Sequence, residues 1–183
     1  AGESAPQRTG PANWLVWHFT HVDNLTSIAA AGQVVADHVP FYIAAKSPML
    51  YAVPKGRADH PGGDRDTVFQ GLAVGAIAAS GATWCVSDVN ASIRTVWFTR
   101  DLTALGEHVD FDLLCQRAWN STEQDNHRPN RRAAEVLVLD EVPLENLAFV
   151  ATKEEKTPAR ARSALGTAGT ALQHHVVPHL YHS

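Results

Sequence analysis

Arg131-Arg132-Ala133-Ala134-Glu135-Val136-Leu137-Val138-Leu139 sets one carboxylate inside an otherwise apolar run, the pattern of a buried strand. Taking an ionised carboxylate out of water is costly unless hydrogen bonds or a counter-charge offset the lost hydration, so Glu135 is either paired or used. Arg131 and Arg132 are the nearest candidates for pairing. The plain alternative is a strand whose Glu135 faces solvent, since Glu is rarely fully buried.

Working outward, Trp14-Leu15-Val16-Trp17-His18-Phe19-Thr20 is rich in aromatic and β-branched residues and reads as a strand. Alternation places Trp17 and Phe19 on one face and Val16, His18 and Thr20 on the other. Asp23 is placed to cap a helix through Leu25, Ile28 and Ala29, which Gly32 ends with a left-handed residue. Short strands are expected at Val34 to Val35, Phe41 to Ala44, Thr67 to Val74, Thr83 to Ser87 and Leu147 to Ala151. Met49 to Val53 fits a short strand or a helical turn, and the turn at Asp88 to Ala91 leads on to Ser92 to Phe98. Asp110 caps a helix carrying Leu113, Leu114, Arg117 and Trp119. Asn120 to Asn130 is polar and mobile, Pro158 to Leu172 is an Ala-rich helix, and Val176 to Leu180 is a final edge strand. Residues 1–12 read as a loose tail and Pro54 to Asp66 as a loop. Short, mostly antiparallel strands with few helices make the class α+β.

The 183 residues suit one domain over 1–183 with a sizeable core. Apolar residues make up 45% and charged ones 19%, which argues against disorder. A net charge of -4 excludes a protein held to nucleic acid by bulk charge, while leaving room for a local basic groove. Two cysteines, Cys85 and Cys115, in a chain that needs no staple point to a reducing compartment. No apolar run reaches the roughly 20 residues that span a bilayer, and Ala1 to Gly10 lacks a signal-peptide core. The expectation is a cytoplasmic protein with no membrane contact. His174, His175, His179 and His182 lack an acidic or thiol ligand and follow no zinc pattern, so no metal is expected.

A histidine, an aromatic ring and a glutamate on separate strands suit orienting a ribose, stacking a flat heterocycle and stabilising a positive centre. Singly, each has a plain explanation: His18 as a core histidine, Tyr42 as packing, Glu135 as a partner of Arg131. Four segments go further. These are His18-Phe19-Thr20-His21-Val22-Asp23-Asn24-Leu25, His38-Val39-Pro40-Phe41-Tyr42-Ile43-Ala44-Ala45-Lys46-Ser47-Pro48-Met49-Leu50-Tyr51, Asp88-Val89-Asn90-Ala91 and Arg131-Arg132-Ala133-Ala134-Glu135-Val136-Leu137-Val138. In order and local wording they closely resemble the DarT family, bacterial toxins that ADP-ribosylate bases in single-stranded DNA. The match runs from Trp14 to about Val150, and Trp84-Cys85 with Phe111-Asp112-Leu113-Leu114-Cys115-Gln116-Arg117 look most like the actinobacterial branch.

The resemblance implies an ADP-ribosyltransferase-like fold of split antiparallel sheets with few flanking helices, and NAD as co-substrate. It makes Glu135 the catalytic carboxylate. His18, Thr20, Asn24 and Tyr42 match positions that hold NAD. Lys46, Ser47, Met49 and Asn90 match segments facing the DNA, with Arg131 and Arg132 as phosphate contacts alongside Lys55, Arg57, Arg94 and Arg100. Thymine is the preferred acceptor and guanine the alternative. The implied partners are single-stranded DNA and a cognate DarG-like macrodomain antitoxin. One departure stands at Asp37-His38, where relatives carry a few dozen residues that close over NAD and supply an Arg to it. Natural deletion, trimming and omission of a mobile segment all account for the gap, the last two being favoured because the flanking motifs are intact. A different reading is kept beside the enzyme: a catalytically impaired single-stranded DNA-binding module on the same scaffold.

Overall fold

A computed structural model of the chain describes residues 10–52 and 63–182. Its frame is one eight-stranded sheet built from β1 (Leu15–His21), β2 (Gln33–Tyr42), β3 (Thr67–Ala73), β4 (Trp84–Ser87), β5 (Phe98–Thr99), β6 (Glu135–Pro143), β7 (Phe149–Thr152) and β8 (Gln173–Val176), in spatial order β5-β4-β6-β2-β1-β3-β7-β8. Every pairing is antiparallel except β7 with β8. Within each half the ladders are long: β2 with β6 on one side, and β1 with β3 over all seven residues of β1 on the other. Between the halves, β1 and β2 share a single register pair, Trp17 with Tyr42. The split expected between sheets is therefore a wedge opening from that pair.

Alternation along β1 decides what each face buries. Val16 joins the main core with Leu25, Phe41, Val68, Leu72, Val136, Val150 and Leu165, beneath the helices α1 (Asn24–Ala31) and α7 (Thr157–Leu165). Trp17 and Phe19 pack on the other face against Leu50, Phe69, Ala151 and Tyr181. Tyr181 fits an apolar site because its hydroxyl donates to both Thr67 O and Ala151 O, each at 3.0 Å. Gly32 ends α1 at φ 72°, as its position after Ala31 predicts.

Several boundaries differ from the sequence reading. Arg131 and Arg132 lie not in a strand but in the helix α6 (Arg128–Arg132), which Pro129 starts with its fixed φ; β6 begins at Glu135 itself. Val34 to Val35 and the strand expected at Phe41 are one β2, which continues through Asp37-His38 with a shift of register between Val35 and His38. The Asp110 cap forms, its Oδ1 accepting from Leu113 N at 3.0 Å, but the helix α5 (Phe111–Leu114) stops before Arg117 and Trp119. The Ala-rich helix ends at Leu165, because Gly166 leaves the helical region at φ 52°. The last strand is Gln173–Val176 rather than 176–180, since Pro178 has no N–H to give a ladder. Ser92 to Phe98 is mostly turns. Met49 to Val53 takes its helical option as α2 (Pro48–Ala52), and α3 (Val74–Ala79), α4 (Leu105–His108) and short 3-10 turns complete the connections. Most of the expected tail and most of the loop at Pro54 to Asp66 lie outside the described residues, while the end of the tail enters a 3-10 turn, Pro11–Asn13. Among the described residues no helix is long and apolar enough to cross a membrane, and Cys85 and Cys115 are free thiols.

Candidate functional site

Strand register draws a single line across the sheet. Gly71 of β3 faces Trp17 of β1, Trp17 faces Tyr42 of β2, Tyr42 faces Glu135 of β6, and Glu135 faces Ser87 of β4. Directly opposed residues share a face, so Trp17, Tyr42 and Glu135 stand side by side. Phe19, two residues on from Trp17, stacks on Tyr42 with ring centroids 5.6 Å apart.

Glu135 is 4% exposed. Its Oε1 accepts the Ala91 N–H at 2.8 Å, and its carbonyl accepts from Ser87 Oγ at 3.2 Å. Among the described residues no cation pairs with it. Arg131 donates instead to Asp110 Oδ2, at 2.8 Å, and to Asp125; Arg132 donates to the carbonyls of Leu113, Leu114, Gln116 and Lys46. Burial pushes the Glu135 carboxyl up, and the Ala91 hydrogen bond works against that shift. Burial first, then the Glu135 charge, also pushes the Tyr42 phenol up, so Tyr42 stays a neutral ring. The result is an anionic oxygen set against an aromatic plane with little water to screen it, an arrangement suited to stabilising positive charge.

His18, one residue along β1 from the junction pair, stands at the wedge. Its Nδ1 donates to Pro40 O across the gap at 2.9 Å, and its ring lies 5.7 Å from that of Phe41. Burial lowers its pKa against the opposing effect of the Pro40 bond, which favours neutral imidazole. Thr20, on the same face of β1, accepts from Asn24 Nδ2 at 2.9 Å and so ties the strand to the first residue of α1. The residues expected at NAD thus form two groups: His18, Thr20 and Asn24 on one side of β1, Tyr42 on the other with Glu135.

The residues expected at DNA are less uniform. Met49 is exposed and Lys46 half-buried. Ser47 is fully buried, its Oγ capping α2 through Leu50 N at 3.2 Å. Asn90 accepts from Ser92 N at 3.1 Å and from Ser92 Oγ, bracing the turn that aims Ala91 N–H at Glu135. Arg131 bridges two carboxylates, Arg132 is buried, Arg94 and Arg100 are exposed, and Lys55 and Arg57 lie outside the described residues. Sequence reasoning missed the Ala91 N–H and Ser87, which no side-chain pattern announces, although Asp88 to Ala91 stood among the quoted segments. It also missed Gln70, opposite His18 on β3, fully buried with neither amide atom partnered. His174 and His175 are neighbours on β8, and His182 Nε2 donates to Ser47 O at 3.2 Å. Among the described residues no three His, Cys, Asp or Glu gather as a metal site.

Comparison with known proteins gives matches in family and in fold. The DarT family, described as ssDNA thymidine ADP-ribosyltransferase, matches over residues 31–182. A DNA ADP-ribosyl transferase of Mycobacterium tuberculosis is 38% identical over 218 aligned positions, covering 100% of this chain and 95% of that protein. The fold is that of Thermus sp. 2.9 DarT in complex with NAD+, with a TM-score of 0.85 at 21% identity over 95% of this chain and 100% of that one. The same protein in complex with ADP-ribosylated ssDNA gives 0.86 at 20% identity, over 96% and 99% of the two chains.

Proposed function

We propose, from the premise that the chain belongs to the DarT family of single-stranded-DNA ADP-ribosyltransferases, that it moves ADP-ribose from NAD to a DNA base, thymine in preference to guanine. The observation that carries this reading is the placement of Glu135 beside Tyr42, buried and without a counter-ion among the described residues.

In the transfer, the bond from the ribose anomeric carbon to nicotinamide breaks with its electron pair leaving on nicotinamide. A bond from the same carbon to a base nitrogen forms, and that nitrogen loses its proton. Positive charge develops on the ribose ring as the first bond breaks, and an adjacent carboxylate stabilises it. Glu135 takes that role and then accepts the proton of the base. Neutral His18 orients the ribose through hydrogen bonding, with Thr20 and Asn24 extending the contact, and Tyr42 supplies a flat wall beside the nicotinamide. Lys46, Met49 and Asn90 border the DNA. Ser47, Arg131 and Arg132 act on DNA indirectly, by holding α2 and α6 in place. A base must be unstacked to reach a buried carboxylate, which is why a single strand suits this site. A macrodomain antitoxin that removes the modification completes the reading in the cytoplasm.

A second reading, a single-stranded DNA-binding module with impaired transfer, draws on the uninterrupted β2 at Asp37-His38. The alignment with the mycobacterial relative spans 218 positions against 183 residues here, a difference of 35. We assign that missing length to Asp37-His38, where a lid over NAD is expected by resemblance.

One experiment tests both. Oligonucleotides containing T but no G, and G but no T, are incubated with NAD and the chain, then weighed intact. A gain of one ADP-ribose on the T oligonucleotide is expected. No gain on either, reversed by inserting the relative's segment at Asp37-His38, favours the impaired module. No gain with the segment restored rejects the transferase.

A further inference from the structure

On the half of the sheet that carries Glu135, the two faces are buried differently. One face, made by Val39, Phe41, Val86, Val136 and Val138, lies wholly in the main core. Register sets out the other. Tyr42 faces Glu135, Glu135 faces Ser87 and Ser87 faces Phe98; two residues along, Pro40 faces Leu137 and Leu137 faces Cys85. An antiparallel sheet with one solvated face turns polar side chains to that face. Here it is apolar instead: Pro40, Cys85 and Leu137 are half-buried, Leu139 is 38% exposed and Phe98 is 46% exposed. A soluble protein that leaves such a face open has a use for it.

Phe98 stands on β5, at the outer edge of the sheet. It shares the Glu135 row and lies two strand spacings from it, about 10 Å. The preceding Trp97 is taken up by His108, ring centroids 3.7 Å apart, whereas no ring among the described residues packs on Phe98. Cations accompany it. Burial pushes the Cys85 thiol up, the Arg100 cation opposes that shift and Glu135 adds to it, so both charges act on this face. Arg94 and Arg100 are exposed, and among the described residues neither has a carboxylate partner. An open aromatic ring beside an unpaired guanidinium is the chemistry that holds an unpaired nucleobase and its phosphate.

We propose that Phe98 is a stacking platform for a nucleobase flanking the one presented to Glu135, with Arg100 taking a phosphate of the same strand. The proposal rests on the DNA-directed function above and extends it to a second nucleotide site. Single-stranded DNA fits this face better than a second copy of the chain does, because free cations border it and its row ends on the candidate catalytic carboxylate. The apolar face is thereby accounted for as a surface on which unstacked bases lie.

The test is the affinity of the full chain for a dye-labelled single-stranded oligonucleotide, by fluorescence anisotropy with NAD absent. Phe98→Ala weakens binding by roughly 5- to 150-fold, the range that one base stacked on an aromatic ring is worth. Phe98→Leu, which keeps an apolar side chain and so guards against loss of fold, weakens it nearly as much. Phe98→Tyr, which keeps the ring, binds within about twofold of the parent. Arg100→Gln lowers the slope of log affinity against log salt by about one. A series of oligonucleotides with one abasic position then locates the contact: at one flanking position the abasic loss and the Phe98→Ala loss are not additive, and elsewhere they add. Equal binding by Phe98→Ala overturns the platform, and so does Phe98→Leu binding like the parent, or additivity at every position. A parent that sediments as a dimer, with Phe98→Ala monomeric and binding DNA equally well, gives the face to a second copy and overturns it too. A parent chain that shows the stacking pattern but transfers nothing overturns the transferase reading and leaves the platform standing. A parent that modifies DNA while Phe98→Ala binds equally well does the reverse.

Discussion

The Ala91 N–H points at Glu135 Oε1 from 2.8 Å, so the turn after β4 and the first residue of β6 form one unit. A buried carboxylate with a single backbone donor is held in place without being neutralised. That leaves its charge available to another positive centre, whereas an arginine partner would have taken it up.

Replacing Glu135 by Gln keeps an acceptor for Ala91 and removes the charge, so the fold should persist while transfer falls by on the order of 10²–10³ or more. Because burial raises the folded-state pKa above the unfolded one, the folded chain binds more protons through that window and loses stability as pH rises through it. Glu135→Gln should therefore melt above the parent at pH 7, and the gap should close toward acid pH. Thermal melts across pH, paired with oligonucleotide mass shifts, check both. Transfer at the parent's rate would remove Glu135 from the chemistry.

Asn90→Ala removes the acceptor for Ser92 N and Ser92 Oγ and slackens the turn that presents Ala91. With that donor less well placed, the effect opposing burial weakens and the Glu135 carboxyl rises further. The acid limb of the pH–rate profile should move to higher pH while the melting temperature changes by only a few degrees, the cost of about 1 kcal/mol for one exposed turn. An unshifted acid limb would show that the turn does not govern the carboxylate.

What could be read in the sequence was local. Alternation in β1 and the left-handed stop at Gly32 follow from side-chain period and glycine stereochemistry, both of which act over a few residues. The Glu135 anomaly was visible because a charge in an apolar run stands out. Its partner was not: Arg131 and Arg132 lie close in sequence, but Pro129 winds them into α6 and sends their guanidinium groups elsewhere. The donor that does reach Glu135 is a backbone N–H 44 residues away, and every residue but proline carries one. The row from Glu135 through Ser87 to Phe98 was equally hidden, because it depends on two strand registers at once.

Arg132 is 5% exposed and its guanidinium serves carbonyls on both α5 and the β2–α2 connection. Arg132→Ala should lower stability by about 3–5 kcal/mol, as expected when a buried charge network loses its centre. Arg132→Lys should not rescue it, since one ammonium does not match a fork of donors. Arg131→Ala, whose partners are half-exposed carboxylates, should cost only about 1 kcal/mol and less at high salt. Urea titrations of the three variants separate these cases; equal losses for Arg131 and Arg132 would contradict the assignment.

Gly71 permits the Phe149 ring to lie against β3, for an added Cβ would sit 2.2 Å from Phe149 Cζ. The same ring lies 5.1 Å from that of Trp17, at the end of the row that carries Tyr42 and Glu135. Gly71→Ala should cost about 1–3 kcal/mol by overpacking. In a Phe149→Leu background the added methyl has room, so the double variant should be more stable than the two single losses predict. Additive losses in the urea midpoints would mean that the ring and the glycine do not conflict.

The junction at Asp37-His38 should accept new sequence. Ala36 and Asp37 lie between the register pairs Val35 with Glu141 and His38 with Leu139, so two residues oppose one, Asp140, in a bulge. Asp140 sits there at φ 65°, in the left-handed region, and Ala36, Asp37 and His38 are exposed. Opening the strand between Asp37 and His38 cuts the chain at the edge of that bulge, next to the register pair His38 with Leu139 and between exposed residues. A flexible insertion of about ten residues should therefore cost only about 1–2 kcal/mol, chiefly loop-closure entropy. The same insertion between Val39 and Pro40, inside the paired and buried run, should abolish cooperative unfolding. Asp140→Val should cost a further 1–2 kcal/mol or so from the left-handed backbone, while Asp140→Gly should not. Urea midpoints and slopes of these four variants decide it: if the Asp37-His38 insertion unfolds the chain, the bulge is a fixed part of β2 and the segment carried by relatives belongs elsewhere.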